Sequence, residues 1–413
     1  MRILFLAHRL PYPPNKGEKI RAFTALKLLA ERNDVYLLCF YDDPDDQRHV
    51  SNLQLHCKRV YAEPIPWLGS RLRAAKAVFS RRSFSLGFFY SHRMEAMVRR
   101  TMADERFDLV FVYSSAMVQY VDANAGVRCV VDMVDVDSDK WRQYGDYTLP
   151  PLSWLYRAEG RRLAECEGQI VRSASKVIVC SAHEAELLAT RGLPAERIVV
   201  IDNAPPLELI SRCPDSGFAN TSHAPYVIFT GSMDYRPNID AALYFAKEIF
   251  PEVQKLAPDI NFVIAGRNPT RRIRRLSKIP GIIVTGAVPD MYSLLRNAAV
   301  AVAPLRIACG LQFKVLEALA LGTPVVIGSK TASALPSALR SHVQVEDDPH
   351  TFAARVVKLA RFGLPLPRHE VCRAVHAYYQ ESRLRTELNA IIEPTNYEDA
   401  QAATIGFRSD AWQ

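Results

Sequence analysis

Between Ile307 and Ser329 the chain carries two charged residues, Lys314 and Glu317, in a run that is otherwise apolar or small. A spacing of three puts both on one face of a helix. Pro304 follows a strand-like run, Gly310 precedes the helix, and the helix starts near Gln312. Gly322 and Pro324 end it, as a C′ glycine and a following proline do. Lys314 then lies in the first turn, where the helix dipole opposes a cation. An anion such as phosphate bound at the same end removes that conflict. A carboxylate one turn further on can accept two hydrogen bonds from the vicinal hydroxyls of a ribose. The helix start, the ammonium and the carboxylate together fit a nucleotide diphosphate. The competing reading is a Lys–Glu pair that only dresses a partly exposed helix.

A second cluster stands in "VVDMVDVDSDKW", where Asp132, Asp135, Asp137 and Asp139 follow a buried strand. Acids at a strand end serve as a general base or hold a sugar. Coordination of a cation would need a second cluster or a calcium-loop spacing, and neither is present in the sequence. Asp135 and Asp137 are the candidates for the acceptor side. His8 ends the first strand and reads as structural. Gly17, the lone glycine of "PPNKGEKIR", marks either a plain turn or a place where the backbone approaches a ligand.

These residues need a scaffold. Strand-like runs fall at residues 3–7, 35–40, 59–62, 109–113, 128–132, 176–180 and 198–201. A second series falls at 226–230, 261–265, 282–285, 300–303, 324–327 and 342–345. Helical periods lie between them, at 18–31, 93–102, 154–172, 182–191, 239–256, 290–297, 312–321, 351–360 and 371–392. Two βαβ series predict an α/β protein with two doubly wound parallel sheets. A length of 413 residues also exceeds one ordinary core. The expected domains are 1–205 and 225–370, joined by a Pro-, Ser- and Asn-rich linker at 206–224. Residues 371–392 form a C-terminal helix, and 393–413 a loosely ordered tail. Such sheets bind ligands at the carboxyl ends of their strands, so chemistry is expected from the turns there, facing a cleft between the domains.

Composition excludes several classes. The eight cysteines are never closer than 14 residues, so a zinc cluster or CxxC redox motif is not indicated. They suit buried thiols in a reducing compartment. The first residues read as a strand rather than a signal peptide, and a transmembrane segment is not expected. The net charge of +8 is uneven. From Trp67 to Arg100 there are eight Lys/Arg and one acid, interleaved with Trp67, Leu72, Phe79, Phe84, Phe88 and Phe89. A second block, 267–278, holds six basic residues and no acid. Basic and aromatic residues on helices suit an anionic membrane surface. Nucleic acid and a plain solvated face are the rival readings.

"PLRIACGLQFKVLEALALGTPVV", "FTGSMDYRPNIDA", "FVIAG", "VTGAVPDMYSLLRNAAVAVAPL" and "VIVCSAHEAELL" resemble the retaining glycosyltransferases of family 4, which have the GT-B fold of two Rossmann-like domains. "MRILFLAHRLPYPPNKGEKIRAF" and "VVDMVDVDSDKW" are most similar to the sugar transferases of exopolysaccharide clusters associated with PEP-CTERM/exosortase systems. The resemblance spans about residues 1–390. It implies that Glu317 is the second glutamate of a Glu-x7-Glu motif and holds the donor ribose. The first glutamate would fall on Cys309, and a thiol does not replace a carboxylate as acceptor for sugar hydroxyls. The resemblance further implies that Lys314 meets the diphosphate and that Arg236 is a second phosphate neutraliser. Gly310 and Gln312 lie at the helix start and, with Gly17, Gly266, Gly286 and Val288, complete the donor-binding set. Ser181 shapes the floor of the site. The last helix crosses back to the first domain.

The resulting expectation is an enzyme on the inner face of the cell membrane, cytoplasmic and peripheral. It would move a sugar from a nucleotide-diphosphate sugar to a polyprenyl-linked glycan, with retention. Lys314, Asp135 and Asp137 would act catalytically, and neither a metal nor nucleic acid would be required. Two alternatives share the fold: a sugar-nucleotide 2-epimerase-like enzyme and a non-catalytic scaffold of polysaccharide assembly.

Overall fold

The computed structural model describes residues 1–65, 83–121, 126–206, 209, 225–364 and 367–393. The chain divides into two compact units, Met1–Asp202 with Ser382–Gln413, and Asn203–Glu381. The expected linker at 206–224 lies outside the described residues, apart from 206 and 209. The tail beyond residue 393 and the basic segment 66–82 also lie outside them.

The first unit holds seven parallel strands: β1 (Arg2–Ala7), β2 (Asp34–Tyr41), β3 (Arg59–Pro64), β4 (Leu109–Tyr113), β5 (Arg128–Asp132), β6 (Lys176–Val179) and β7 (Ile198–Val200). Their order is β3-β2-β1-β4-β5-β6-β7. The central strands are continuous apolar runs because helices cover both faces of the sheet. Alternation then divides each strand: Leu4, Leu6, Val110 and Val112 enter one core, while Phe5 and Phe111 stack at 5.0 Å on the other face.

The second unit holds β8 (Tyr226–Thr230), β9 (Asn261–Ala265), β10 (Ile282–Gly286), β11 (Val300–Ala303), β12 (Val325–Ile327) and β13 (Gln344–Val345), all parallel. The order β10-β9-β8-β11-β12-β13 repeats the plan of the first unit. Phe245, Phe250, Phe262 and Phe352 cluster in its core, with Phe245 and Phe262 at 4.4 Å. In each sheet the strand order reverses at one point, between β1 and β4 or between β8 and β11. Crevices for ligands open at such points.

Two expectations change. Residues 371–392 are two helices, Arg368–Tyr378 and Glu381–Ile392, because the chain turns to bury the Tyr379 ring. The helix expected at 239–256 begins at Arg236 and passes through a π turn, Phe245–Ile249, which accommodates Pro251. The acidic segment after β5 runs into a helix, Asp137–Asp146, with Asp137 and Asp139 in its first turn.

Part of the basic, aromatic segment lies among the described residues. Phe88 and Phe89 pack against the core of the first unit, and Phe84 meets the Trp141 ring edge-on at 5.5 Å. Those three rings are half-buried, and Trp67, Leu72 and Phe79 lie outside the described residues.

Candidate functional site

The helix Phe313–Ala320 shows why two charges stand three apart in an apolar run. Val315, Leu316, Ala318, Leu319 and Ala320 are buried, which leaves Lys314 and Glu317 on the remaining face. Its end is a Schellman motif: Thr323 N donates to Ala318 O, Gly322 N to Leu319 O, and Gly322 has φ +68°. Its start is open. Gln312 stands at the N-cap with no side-chain bond to the first turn, and its Nε2 donates back to Cys309 O at 2.9 Å. The preceding loop is held rigidly. Leu305, Ile307 and Leu311 are buried, and Asn203 Nδ2 donates to Leu311 O at 3.1 Å. Arg306 clamps Asp240 through two bonds of 3.0 and 2.6 Å and lies over the Tyr244 ring.

This helix start lies beyond β11, beside the turn after β8, at the reversal point of the second sheet. Lys314 Nζ donates to Asn238 Oδ1 and sits 4.4 Å from the centre of the Phe229 ring. Asn238 itself is buried and donates to Ser232 O at 2.9 Å. Arg236 opens the helix Arg236–Tyr244 in the same turn. The Lys–Glu pair weighed from the sequence does not form. Among the described residues neither a hydrogen bond nor an ion pair engages the Glu317 carboxylate. Burial pushes the Lys314 ammonium down to about 7, partly offset by Glu317. Burial likewise pushes Glu317 up to about 7, partly offset by Lys314. Both residues are half-buried. The pair is therefore close to changing charge at neutral pH, and an anion beside Lys314 would fix it as a cation.

Three glycines floor this region, each directly after or at the end of a strand. Gly266, after β9, has φ +148°, and a Cβ there would fall 1.7 Å from Gly231 O. No other residue fits, so the turns after β8 and β9 meet backbone to backbone. Gly266 N in turn donates to Gly286 O at 3.0 Å. Val288 follows, half-buried in the turn after β10, and Gly310, buried with φ +61°, precedes Gln312.

In the first unit the reversal point is more crowded. His8 follows β1, with its ring stacked on Tyr113 at 5.8 Å and edge-on to Phe89 at 5.5 Å. Burial, aided by Arg9, pushes its pKa down to about 3, so it stays neutral. Gly17 opens the helix Gly17–Ala30. Asp132, at the end of β5, accepts from the buried Arg21 at 2.9 Å and takes no part as an open acid. Asp137 is paired with Lys140, and Asp135 lies 3.9 Å from the same ammonium. Burial pushes Asp135 up to about 6, with Lys140 opposing. Between Asp132 and Asp135, Val134 has φ +69°, costly for a β-branched residue. Ser114 after β4 and Asn268 after β9 share this sign of φ. All three lie past the carboxyl ends of strands, where strain collects at functional sites.

Asp135, Cys180 and Glu184 place potential ligand atoms within 4.8 Å of one another. Glu184 is already committed, accepting from Val136 N, Cys180 N, Cys180 Sγ and Ser181 Oγ. Ser181 caps the helix Ala182–Ala189 through a 3.3 Å bond from Glu184 N. A concavity of about 480 Å³, lined by Met1, Arg2, Arg32, Asp34, Arg106 and Asp108, lies at the amino ends of β1, β2 and β4. That is the wrong end of the sheet for a ligand crevice.

Two family models match the sequence: "Glycosyl transferase 4-like domain" over residues 24–204 and "Glycosyl transferases group 1" over residues 224–361. The chain is a glycosyltransferase. No curated protein matches it in sequence. Among solved structures, Anabaena HepE in complex with UDP and glucose is similar at 14% identity, covering 94% of this chain and 98% of that one, with a TM-score of 0.60. A UDP-forming α,α-trehalose-phosphate synthase from Burkholderia xenovorans, in complex with glucose-6-phosphate, is similar at 10% identity, covering 95% and 100%, with a TM-score of 0.62. At these identities the likeness shows the fold, which is GT-B.

Within this glycosyltransferase the sequence-derived residues fall into two sets. Arg236, Gly266, Gly286, Val288, Gly310, Gln312, Lys314 and Glu317 belong to the second unit. Gly17, Asp135 and Asp137 belong to the first. Cys309 is half-buried in the loop that Arg306 anchors. Asn238 and Gly231 were not foreseen. Gly231 had a legible signal, since "IFTG", "VIAG" and "IVTG" repeat a strand closed by glycine three times. Asn238 had none, because its partner Lys314 lies 76 residues away.

Proposed function

We propose that this glycosyltransferase moves a sugar from a nucleotide-diphosphate sugar to a lipid-linked glycan, with retention, in exopolysaccharide assembly of the PEP-CTERM/exosortase type. One observation carries the donor half. At the reversal point of the second sheet an uncapped helix start holds Lys314, with the Glu317 carboxylate one turn further in. The diphosphate would lie at the helix start against Lys314 and Arg236, and the ribose against Glu317. Departure of the nucleotide leaves negative charge on the diphosphate, and two cations with a helix N-terminus stabilise it. In this reading no metal is needed for that step. Asp135, held half-protonated near pH 6 by burial, would contact the acceptor hydroxyl, with Asp137 orienting Lys140 beside it. HepE and the trehalose-phosphate synthases are solved with UDP or sugar ligands, which supports a nucleotide-sugar donor here.

Transfer of labelled sugar from a panel of nucleotide sugars to a membrane extract tests the reaction, and the anomeric configuration of the product tests retention. Glu317→Ala should abolish transfer and weaken nucleotide binding. Unchanged affinity would refute the donor-site assignment. Cys309 in place of a glutamate favours a second reading, a scaffold that binds no donor. Calorimetry with the same panel separates the two, since the scaffold would give no heat with any nucleotide sugar. Turnover of a nucleotide sugar without acceptor would point to an epimerase instead.

The lipid-linked acceptor implies a cytoplasmic protein peripheral on the membrane. Among the described residues no helix is long and apolar enough to cross a bilayer.

A further inference from the structure

Among the described residues, most exposed large hydrophobic side chains are scattered singly over the surface, which is ordinary. Four are not. Tyr147, Leu149, Leu152 and Trp154 fall within eight residues, and Leu149 and Trp154 are 84% and 65% exposed. They occupy the turn between the helices Asp137–Asp146 and Leu152–Ser173 and the first residues of the second helix. The two helices form a tight hairpin. A Cβ at Gly160 would lie 3.0 Å from Ser138 O, and Tyr156 packs against Trp141 and Tyr144. The apolar tip is thus held out on a firm stem.

Arginines and acids alternate along its stem. From Lys140 to Arg162 there are five Lys/Arg and two acids, Asp146 and Glu159, with Lys140 paired to Asp137 outside this stretch. Glu159 is fully buried, accepting from Ser83 Oγ, Phe84 N and Ser85 N. Arg142 is held by Asp139 and Asp146, and Arg157 shares Asp146, so the positive charge near the tip rests on Arg157 and Arg161. Arg161 is exposed one turn beyond Arg157. Leucine with tryptophan and tyrosine, ringed by arginine, matches the boundary between acyl chains and anionic headgroups.

We propose that residues 147–154 form a membrane anchor, inserting their apolar side chains into the headgroup layer of an anionic bilayer. The anchor uses none of the residues on which the sequence-based membrane expectation rested. It extends the lipid-linked-acceptor reading, because the stem helix starts at Asp137, and ten helical residues span about 15 Å. A bilayer at the tip therefore stands one short helix away from the acids assigned to the acceptor.

Sedimentation of the full chain with vesicles of phosphatidylglycerol and phosphatidylcholine tests the anchor. Leu149→Ser with Leu152→Ser and Trp154→Ser should weaken binding about tenfold or more, since each side chain loses its apolar insertion. Leu149→Asp alone, at a position too exposed to matter for folding, should weaken it in the same direction. Arg157→Gln with Arg161→Gln should weaken binding and flatten its salt dependence. Circular dichroism checks that each variant is folded. Tip variants that sediment like the wild type overturn the anchor. If Arg71, Arg73, Arg81 and Arg82 changed to Gln then abolish binding, membrane association stands without it. A wild type that ignores vesicles but self-associates through the tip, with loss of association in the tip variants, overturns it in favour of a protein contact.

Discussion

Both units place a cation and a carboxylate beyond the carboxyl ends of their sheets, and the two pairs are built differently. Arg21 and Asp132 meet directly at 2.9 Å, both are buried, and Arg21 also donates to Ile201 O. Burial opposes the charge on Arg21, yet Asp132 and smaller contributions more than restore it. Lys314 and Glu317 do not meet. Lys314 leans on a neutral amide and a ring, and burial drives both groups toward losing their charge. A closed pair satisfies itself and holds the fold. An open pair leaves a desolvated ammonium and an unengaged carboxylate, which a charged ligand can complete.

Breaking the closed pair should have the largest effect. Asp132→Ala leaves Arg21 buried without its counter-charge and should cost about 3–5 kcal/mol, read from urea unfolding. Glu317→Ala should leave unfolding nearly unchanged and instead weaken donor binding about a hundredfold in calorimetry, the loss of two hydrogen bonds to a charged group. Asn238→Asp would convert the open pair into a closed one. The new carboxylate should stabilise Lys314 as a cation and compete with the diphosphate, lowering donor affinity about tenfold while slightly raising stability. Smallest of all, Cys309→Ser should change the donor KM by less than about threefold, because the position already lacks a carboxylate.

Protonation sharpens the contrast. Lys314 falls to about 7 in the folded protein, so between there and the ordinary lysine range the unfolded chain binds more protons, and stability rises with pH. Glu317 rises to about 7, so between the ordinary glutamate range and there the folded chain binds more protons, and stability falls with pH. The open pair therefore contributes a shallow stability minimum near neutrality. Donor binding above that point should take up a proton at Lys314. Calorimetry in buffers of different ionisation heat should show that uptake in the wild type and its absence in Lys314→Met.

Strands, helix ends and the charged face at residues 313–320 were legible because they follow from local periodicity and terminator residues. Long-range commitments were not. Glu159, Glu167 and Glu184 look in sequence like solvated helix charges, yet each is buried and accepts backbone amides from a distant turn or the one before it. Only tertiary structure tells a glutamate that ties a loop from one that faces water. The same blindness covers the rings at residues 84–89. A basic–aromatic mixture is common to a membrane face and to a helix laid on a core, and the deciding fact is what lies beneath it. Asn238 shows the converse: an ordinary residue after a proline became the partner of Lys314 once β8 and β11 were neighbours.

The last helix gives the order of strands a temporal meaning. Glu381–Ile392 belongs with the first unit, where Arg128 donates to the carbonyls of Ile391 and Ile392 at 2.6 Å and Arg385 pairs with Glu31. Leu384, Leu388, Ile391 and Ile392 are buried there. On the ribosome, then, the unit translated first is the one whose last helix is translated last. Its final helix emerges only after the whole second unit, so until then the nascent N-terminal half keeps an apolar flank uncovered.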